Sequence, residues 1–383
     1  YGLVLQCWSA LVLADKTSAA GASNDAKTYA AKQPELDRLD EYVESLEATV
    51  TANENGDRNE RLNYYRSKAR SDVLDNVVSF AENGGGVATL TLPTGMGKTL
   101  TGLSAAFAIR DTLDKERVVY ALPFTSIIDQ VVDEFEGIYE TDTAGRLLTA
   151  HHHLSETVVR DSDDRSADEA DRTDDVAGML GESWRAGLTV TTFVQLFESL
   201  AGPENRQSMK LPALKDSIVV LDEPQSLPLD WWKVVPRLVE MLTTQYDATV
   251  IAMTATQPQL FDDATPLIDD PAVYFETASR VEYTLDRSTE RYITDQSSPK
   301  SYDTAASEVE APISDGESVL AVCNTIDSAR ALTDRVRSHS ADNRFVDVAE
   351  TYADALSADG NVESVEPASL ARKIGKKDGT PIL

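Results

Sequence analysis

Apolar positions change period several times along the chain, and the changes divide it into elements. Short runs of apolar, mostly β-branched residues occur at Val87–Leu92, Val118–Leu122, Leu188–Val190, Ile218–Leu221, Thr249–Met253 and Val319–Val322. Continuous runs of this length predict strands buried on both faces, as in a parallel sheet. Stretches with helical spacing lie between several of them, for example Leu100–Leu113 and Ser126–Phe135. That alternation predicts an α/β fold built on a doubly wound parallel sheet. Ligands of such sheets sit beyond the carboxyl ends of the strands, which is where Thr, Pro, Gly and acidic residues fall here.

Other tracts are read from the same pattern. The apolar run Gly2–Ala14 predicts a buried helix. From Gly21 to Asn59 the chain turns polar, but within Glu35–Glu47 the residues Leu36, Leu39, Tyr42, Val43 and Leu46 recur at helical spacing, predicting a helical linker. Ser155–Asp175 is crowded with aspartate and reads as a solvated loop, and Thr294–Ser318 reads as a loose tract before a final segment. No internal repeat has a fixed period.

Composition narrows the class. At 383 residues with 42% hydrophobic content the chain is long enough for two domains with real cores, which excludes wholesale disorder. No segment approaches the roughly 18 uninterrupted apolar residues of a membrane span. Gly2–Ala14 is no secretory signal, because no basic residue precedes it and Gln6, Trp8 and Ser9 interrupt it. Cys7 and Cys323, far apart, build no disulfide framework, which fits a reducing, cytoplasmic compartment. The formal charge of -30 would repel nucleic acid at low salt, so either the protein is an acidic binding module or it is adapted to molar salt, where the Debye length falls to about 3 Å. Acids spread along the whole chain, with lysine scarcer than arginine, favour salt adaptation.

Three strand ends carry chemistry. After the first predicted strand comes Pro93-Thr94-Gly95-Met96-Gly97-Lys98-Thr99, then a helix. A glycine-rich turn between strand and helix lets backbone amides approach phosphates; Lys98 reaches the β and γ phosphates and the Thr99 hydroxyl can hold magnesium. The first glycine of the general pattern is replaced by Leu92. Ile218–Leu221 runs into Asp222-Glu223-Pro224-Gln225. Carboxylates at the end of an apolar strand are costly unless they face a cation or water, so Asp222 is placed to hold magnesium and Glu223 to polarise an attacking water. Thr249–Met253 leads to Thr254-Ala255-Thr256, whose hydroxyls either cap a helix or link the nucleotide site, through Gln225, to a second surface.

These motifs, in this order and spacing, resemble those of a superfamily 2 helicase, more specifically the CRISPR-associated helicase-nuclease of type I interference systems. RVVYALPFTSIIDQ (Arg117–Gln130), TTFVQLFESL (Thr191–Leu200), VVLDEPQSLP (Val219–Pro228), VCNTIDSARAL (Val322–Leu332) and RLNYYRSKA (Arg61–Ala69) carry the resemblance. It implies two RecA-like lobes, the first at residues 61–280 and the start of the second at 281–383, after a linker at 23–60. It further implies ATP and Mg²⁺ as cofactors, a guide-RNA surveillance complex as partner, and a single-stranded DNA track lined by Pro123, Thr125, Thr191, Thr192 and Gln195, with Asn324 and Thr325 on the second lobe. Strand capping is the competing reading of each threonine alone. Amides and hydroxyls at strand ends grip phosphates without a basic surface.

The same resemblance makes residues 1–22 the tail of a metal-dependent HD nuclease domain, with Asp15 in LVLADKTSAAG as its final ligand; a plain packing helix accounts for that segment equally. Tyr1 in place of methionine suggests a piece of a longer product, and no arginine-bearing motif of the second lobe is recognisable between Arg330 and Leu383. An RNA helicase, a restriction-type translocase and a non-catalytic remnant remain as alternatives. His151-His152-His153 reads as an inter-motif loop rather than a metal site. Trp231-Trp232 reads as an anchor rather than a base-stacking platform.

Overall fold

The structure, a computed structural model, describes residues 2–19, 32–139, 147–151, 183–201, 205–256, 260–281, 284–295, 300–315 and 319–339. They divide into two compact units, one running to Val281 and one beyond it.

The first unit is a seven-stranded sheet ordered β3-β4-β2-β5-β6-β1-β7. Its strands are β1 (Val87–Thr91), β2 (Arg117–Leu122), β3 (Leu148–His151), β4 (Leu188–Thr192), β5 (Ser217–Asp222), β6 (Thr249–Thr254) and β7 (Thr265–Pro266). Every pairing is parallel. Each of β1, β2, β4, β5 and β6 overlaps an apolar run of the sequence, whereas the short β3 and β7 went unread.

Alternate side chains of a strand point to opposite faces, and here both faces are covered. Val118, Tyr120 and Leu122 of β2 join Leu90, Val220 and Met253 under the helices α2 (Leu36–Ala48), α3 (Arg58–Glu82), α4 (Lys98–Leu113) and α5 (Thr125–Tyr139). Val119 and Ala121 face the other way, with Val219 and Val250, toward α6 (Phe193–Ala201) and α7 (Val235–Gln245). The predicted helix in the polar linker forms as α2, and Leu39 and Val43 sink into this core. Helix α3 opens on a capping box, in which the Asp57 side chain accepts from the Glu60 backbone and the Glu60 side chain answers to the Asp57 amide.

The N-terminal apolar run forms α1 (Gly2–Ala19), but it is not buried all round. Leu5, Val12 and Leu13 are covered and Ser9 donates to the Ser208 carbonyl at 2.6 Å, while Leu3, Val4 and Leu11 face solvent. No described helix is long and apolar enough to cross a membrane.

Beyond Val281 the described elements are α8 (Ser288–Asp295), α9 (Tyr302–Ser314) and α10 (Ile326–His339). Two expectations change here. The tract read as loose contains α9, started by the Ser301 side chain accepting from the Thr304 amide at 3.1 Å. The strand expected at Val319–Val322 is irregular, with Leu320 and Val322 87% and 84% exposed. β-Branched residues become a strand only where a neighbour offers a ladder and a face to bury, and the described part of this unit supplies neither. The acidic tract Ser155–Asp175, His152 and His153 lie outside the described residues.

Candidate nucleotide site

Strand register brings the three chemical motifs to one rim. Thr91 pairs with Thr254 and Asp222 with Met253, so β6 carries Thr254 between the glycine-rich turn on one side and the acids on the other. Pro93 and Met96 are buried and pin the turn to the core, while Thr94, Gly95 and Gly97 are exposed. Gly95 and Gly97 have φ of +84° and +73°, a left-handed backbone that glycine adopts without a Cβ clash. A Cβ added at Gly97 would meet nothing within 4 Å, so the mouth of the turn, at the start of α4, is open.

Across that mouth, Lys98 Nζ forms an ion pair with Glu223 Oε1 and lies 3.9 Å from Asp222 Oδ1. Gln225 Nε2 donates to Glu223 Oε2. Thr254 Oγ1 lies 2.7 Å from both Gln225 Oε1 and the Thr256 carbonyl and accepts from the Thr256 amide at 2.9 Å. Lys98, Glu223, Gln225 and Thr254 thus form one contact chain across three strand ends. Glu223 holds φ at +58°, an uncommon conformation for a side chain with a Cβ, of the kind that collects at functional sites.

The charges here are short of water. Burial pushes the Asp222 carboxyl above its ordinary range, against the pull of Lys98 and the hydrogen bond from Tyr120. Burial pushes the Lys98 ammonium down, against the attraction of Asp222. Asp222 Oδ2 accepts from the Tyr120 hydroxyl at 2.9 Å, while the buried Oδ1 has no hydrogen-bond partner. An orphaned carboxylate oxygen, with the Thr99 hydroxyl in the first turn of α4, is an oxygen donor set that suits magnesium, which binds through one or two protein oxygens and keeps its waters. The residues therefore fit that ion.

Sequence reasoning missed three contributors. Tyr120 looked like one more apolar strand residue; the only signal was a hydroxyl in a run with no other polar side chain. Arg66 donates from Nε to the Gly95 carbonyl at 2.7 Å and is itself steadied by Asn63 at 2.9 Å. Arg280 stands beside the same turn, its Nη2 2.7 Å from where a Gly95 Cβ would be.

The remaining candidates scatter more. Pro123 follows β2, Thr125 opens α5, and β4 ends beside them, since Leu122 pairs with Thr192. Thr191 is fully buried and donates to the His151 carbonyl at 2.8 Å; Thr192 accepts from the Gln195 amide at 3.2 Å. Gln195 Oε1 accepts from Lys210, whose ammonium sits 5.2 Å over the Trp184 ring. These hydroxyls thus work inside the protein, as the capping alternative has it. In the second unit Thr325 caps α10, accepting from the Ser328 amide at 3.1 Å, and Asn324 is exposed. Asp15 is exposed on α1, and no group of His, Cys, Asp and Glu able to hold a metal occurs among the described residues. Trp231 packs edge-on against Phe197 at 6.1 Å and Trp232 donates to the Leu227 carbonyl at 3.0 Å, as anchors do.

Residues 60–259, more than half of the chain, match the family described as type III restriction enzyme, res subunit. The chain belongs to this helicase family. It is also 40% identical over 428 aligned residues to the CRISPR-associated nuclease/helicase Cas3 of Haloferax volcanii, an alignment covering 97% of this chain and 44% of that relative. The chain therefore spans less than half the length of this relative, and the relative's Haloferax origin accords with the salt adaptation read from composition. The CRISPR-associated resemblance drawn from the motifs stands. Similar solved structures include the Pyrococcus furiosus Hef helicase domain (15% identity, 71% of this chain and 55% of that one, TM-score 0.33). Another is T4 UvsW (12% identity, 87% and 61%, TM-score 0.32).

Proposed function

We propose that this chain is the ATP-driven motor of a CRISPR-associated helicase, moving along single-stranded DNA exposed by a guide-RNA surveillance complex in type I interference. The observation that carries the proposal is the contact chain Lys98–Glu223–Gln225–Thr254 beside an open, left-handed glycine turn. In this reading the amides of Gly95 to Thr99 and the start of α4 bind the triphosphate. Lys98 leaves Glu223 for the β and γ phosphates. Glu223, released, takes a proton from the attacking water. Thr99 and Asp222 Oδ1 would hold magnesium, which would supply charge neutralisation at the transferring phosphoryl group. Gln225 and Thr254 pass the state of Glu223 to Thr256. Contacts to the strand's backbone are assigned to Pro123, Thr125 and Gln195 in the first unit and, separately, to Asn324 and Thr325 in the second.

Phosphate release in molar potassium chloride, with single-stranded DNA, single-stranded RNA or duplex DNA added, tests this reading. Stimulation by single-stranded DNA that disappears in Lys98→Ala is the expected result. Activity surviving Lys98→Ala, or stimulation by RNA alone, overturns it.

A further inference from the structure

We infer that Tyr120 is a positioning residue for the magnesium–nucleotide site, turning the Asp222 carboxylate so that one oxygen is kept for the ligand. The inference deepens the preceding reading and rests on the assignment of the rim as a magnesium–nucleotide site.

Tyr120 lies in the middle of β2, opposite Val220 of β5, two residues short of Asp222. Its ring is completely buried and meets Phe135 of α5 edge-on at 5.6 Å. A phenylalanine would fill the same space, so packing explains the ring and not the hydroxyl. A fully buried hydroxyl is costly without a partner, and this one reaches Asp222 Oδ2 at 2.9 Å. Thr99, from the first turn of α4, is a further neighbour of this hydroxyl. One phenol thus sits near both residues suited to magnesium, which come from different elements. Because the phenol donates, it favours Asp222 as an ionised acceptor. With Oδ2 engaged from within the core, the orphaned Oδ1 is the oxygen left for the cradle, 3.9 Å from Lys98 Nζ.

The test is the affinity of the chain for a fluorescent ADP, measured in EDTA and across a magnesium titration, for the wild type and Tyr120→Phe. The wild type should bind more tightly as magnesium is added. In Tyr120→Phe the magnesium concentration at half effect should rise about tenfold, the scale of one hydrogen bond to a charged group, with affinity in EDTA unchanged. A purely structural tyrosine would leave the magnesium dependence where it was or weaken both conditions alike, and either result overturns the inference. Failure of the wild type to respond to magnesium would instead sink the site assignment beneath it. Should Tyr120→Phe not fold, fluorotyrosine NMR of the wild type decides. With ADP and manganese a buried tyrosine resonance must broaden selectively, and uniform insensitivity of the tyrosines refutes the inference.

Discussion

Replacing Glu223 with glutamine separates the two tasks the site reading gives this residue. The Lys98 and Glu223 side chains are 10% and 28% exposed, so their ion pair is shielded without being fully buried. On the proposed reading, nucleotide breaks it to recruit Lys98. A pair of this exposure lies near the upper end of the surface range, about 1 kcal/mol. Glu223→Gln removes that competitor, and about 1 kcal/mol corresponds to roughly fivefold tighter binding. The amide cannot serve as a general base, so turnover should fall about 10²- to 10⁴-fold. Fluorescent ADP titration and phosphate release on the same preparation give both numbers. Weaker nucleotide binding, or turnover at the wild-type level, would refute the idea that Glu223 holds Lys98 at rest and activates water at work.

Other residues give independent checks. Asp57→Ala removes the capping box of α3 and should cost about 1 kcal/mol in chemical denaturation, with nucleotide affinity little changed. Burial raises the Glu134 carboxyl above its ordinary value. Its charge therefore costs stability above the folded pKa, and that cost disappears below the unfolded one. Glu134→Gln should melt higher than wild type at pH 7.5, with the gap closing near pH 4 as measured by calorimetry. Trp231→Ala should lose about 2 kcal/mol, at the low end for a large-to-small change because the ring is half-buried, while the folded fraction keeps its affinity for single-stranded DNA. A selective loss of DNA affinity would restore the base-stacking reading.

The sheet was legible because its strands announce themselves locally. Val118–Leu122 and Ile218–Leu221 are apolar throughout, and only a strand covered on both faces needs that. The glycine turn and the Asp222-Glu223 pair were legible for the same reason, since each is set in adjacent residues at the end of an apolar strand. What depended on distant partners was not. β3 and β7, four and two residues long, exist because β4 and β1 offer them an edge. Val319–Val322 has the composition of a strand and no described ladder to join. Helix α9 was hidden because it buries little, Ala306 being its one fully covered residue. Tyr120 and Arg66 act on Asp222 and Gly95 across 102 and 29 residues of sequence, a relation that periodicity does not encode.

The central claim is that the rim between β1 and β5 holds a magnesium nucleotide. A crystal structure of this chain grown with ADP and magnesium tests it most directly. The account predicts phosphate oxygens on the amides of Gly95 to Thr99, Lys98 withdrawn from Glu223, and the metal beside Asp222 Oδ1. Nucleotide bound elsewhere, or a Lys98–Glu223 pair left intact beneath it, would contradict the account.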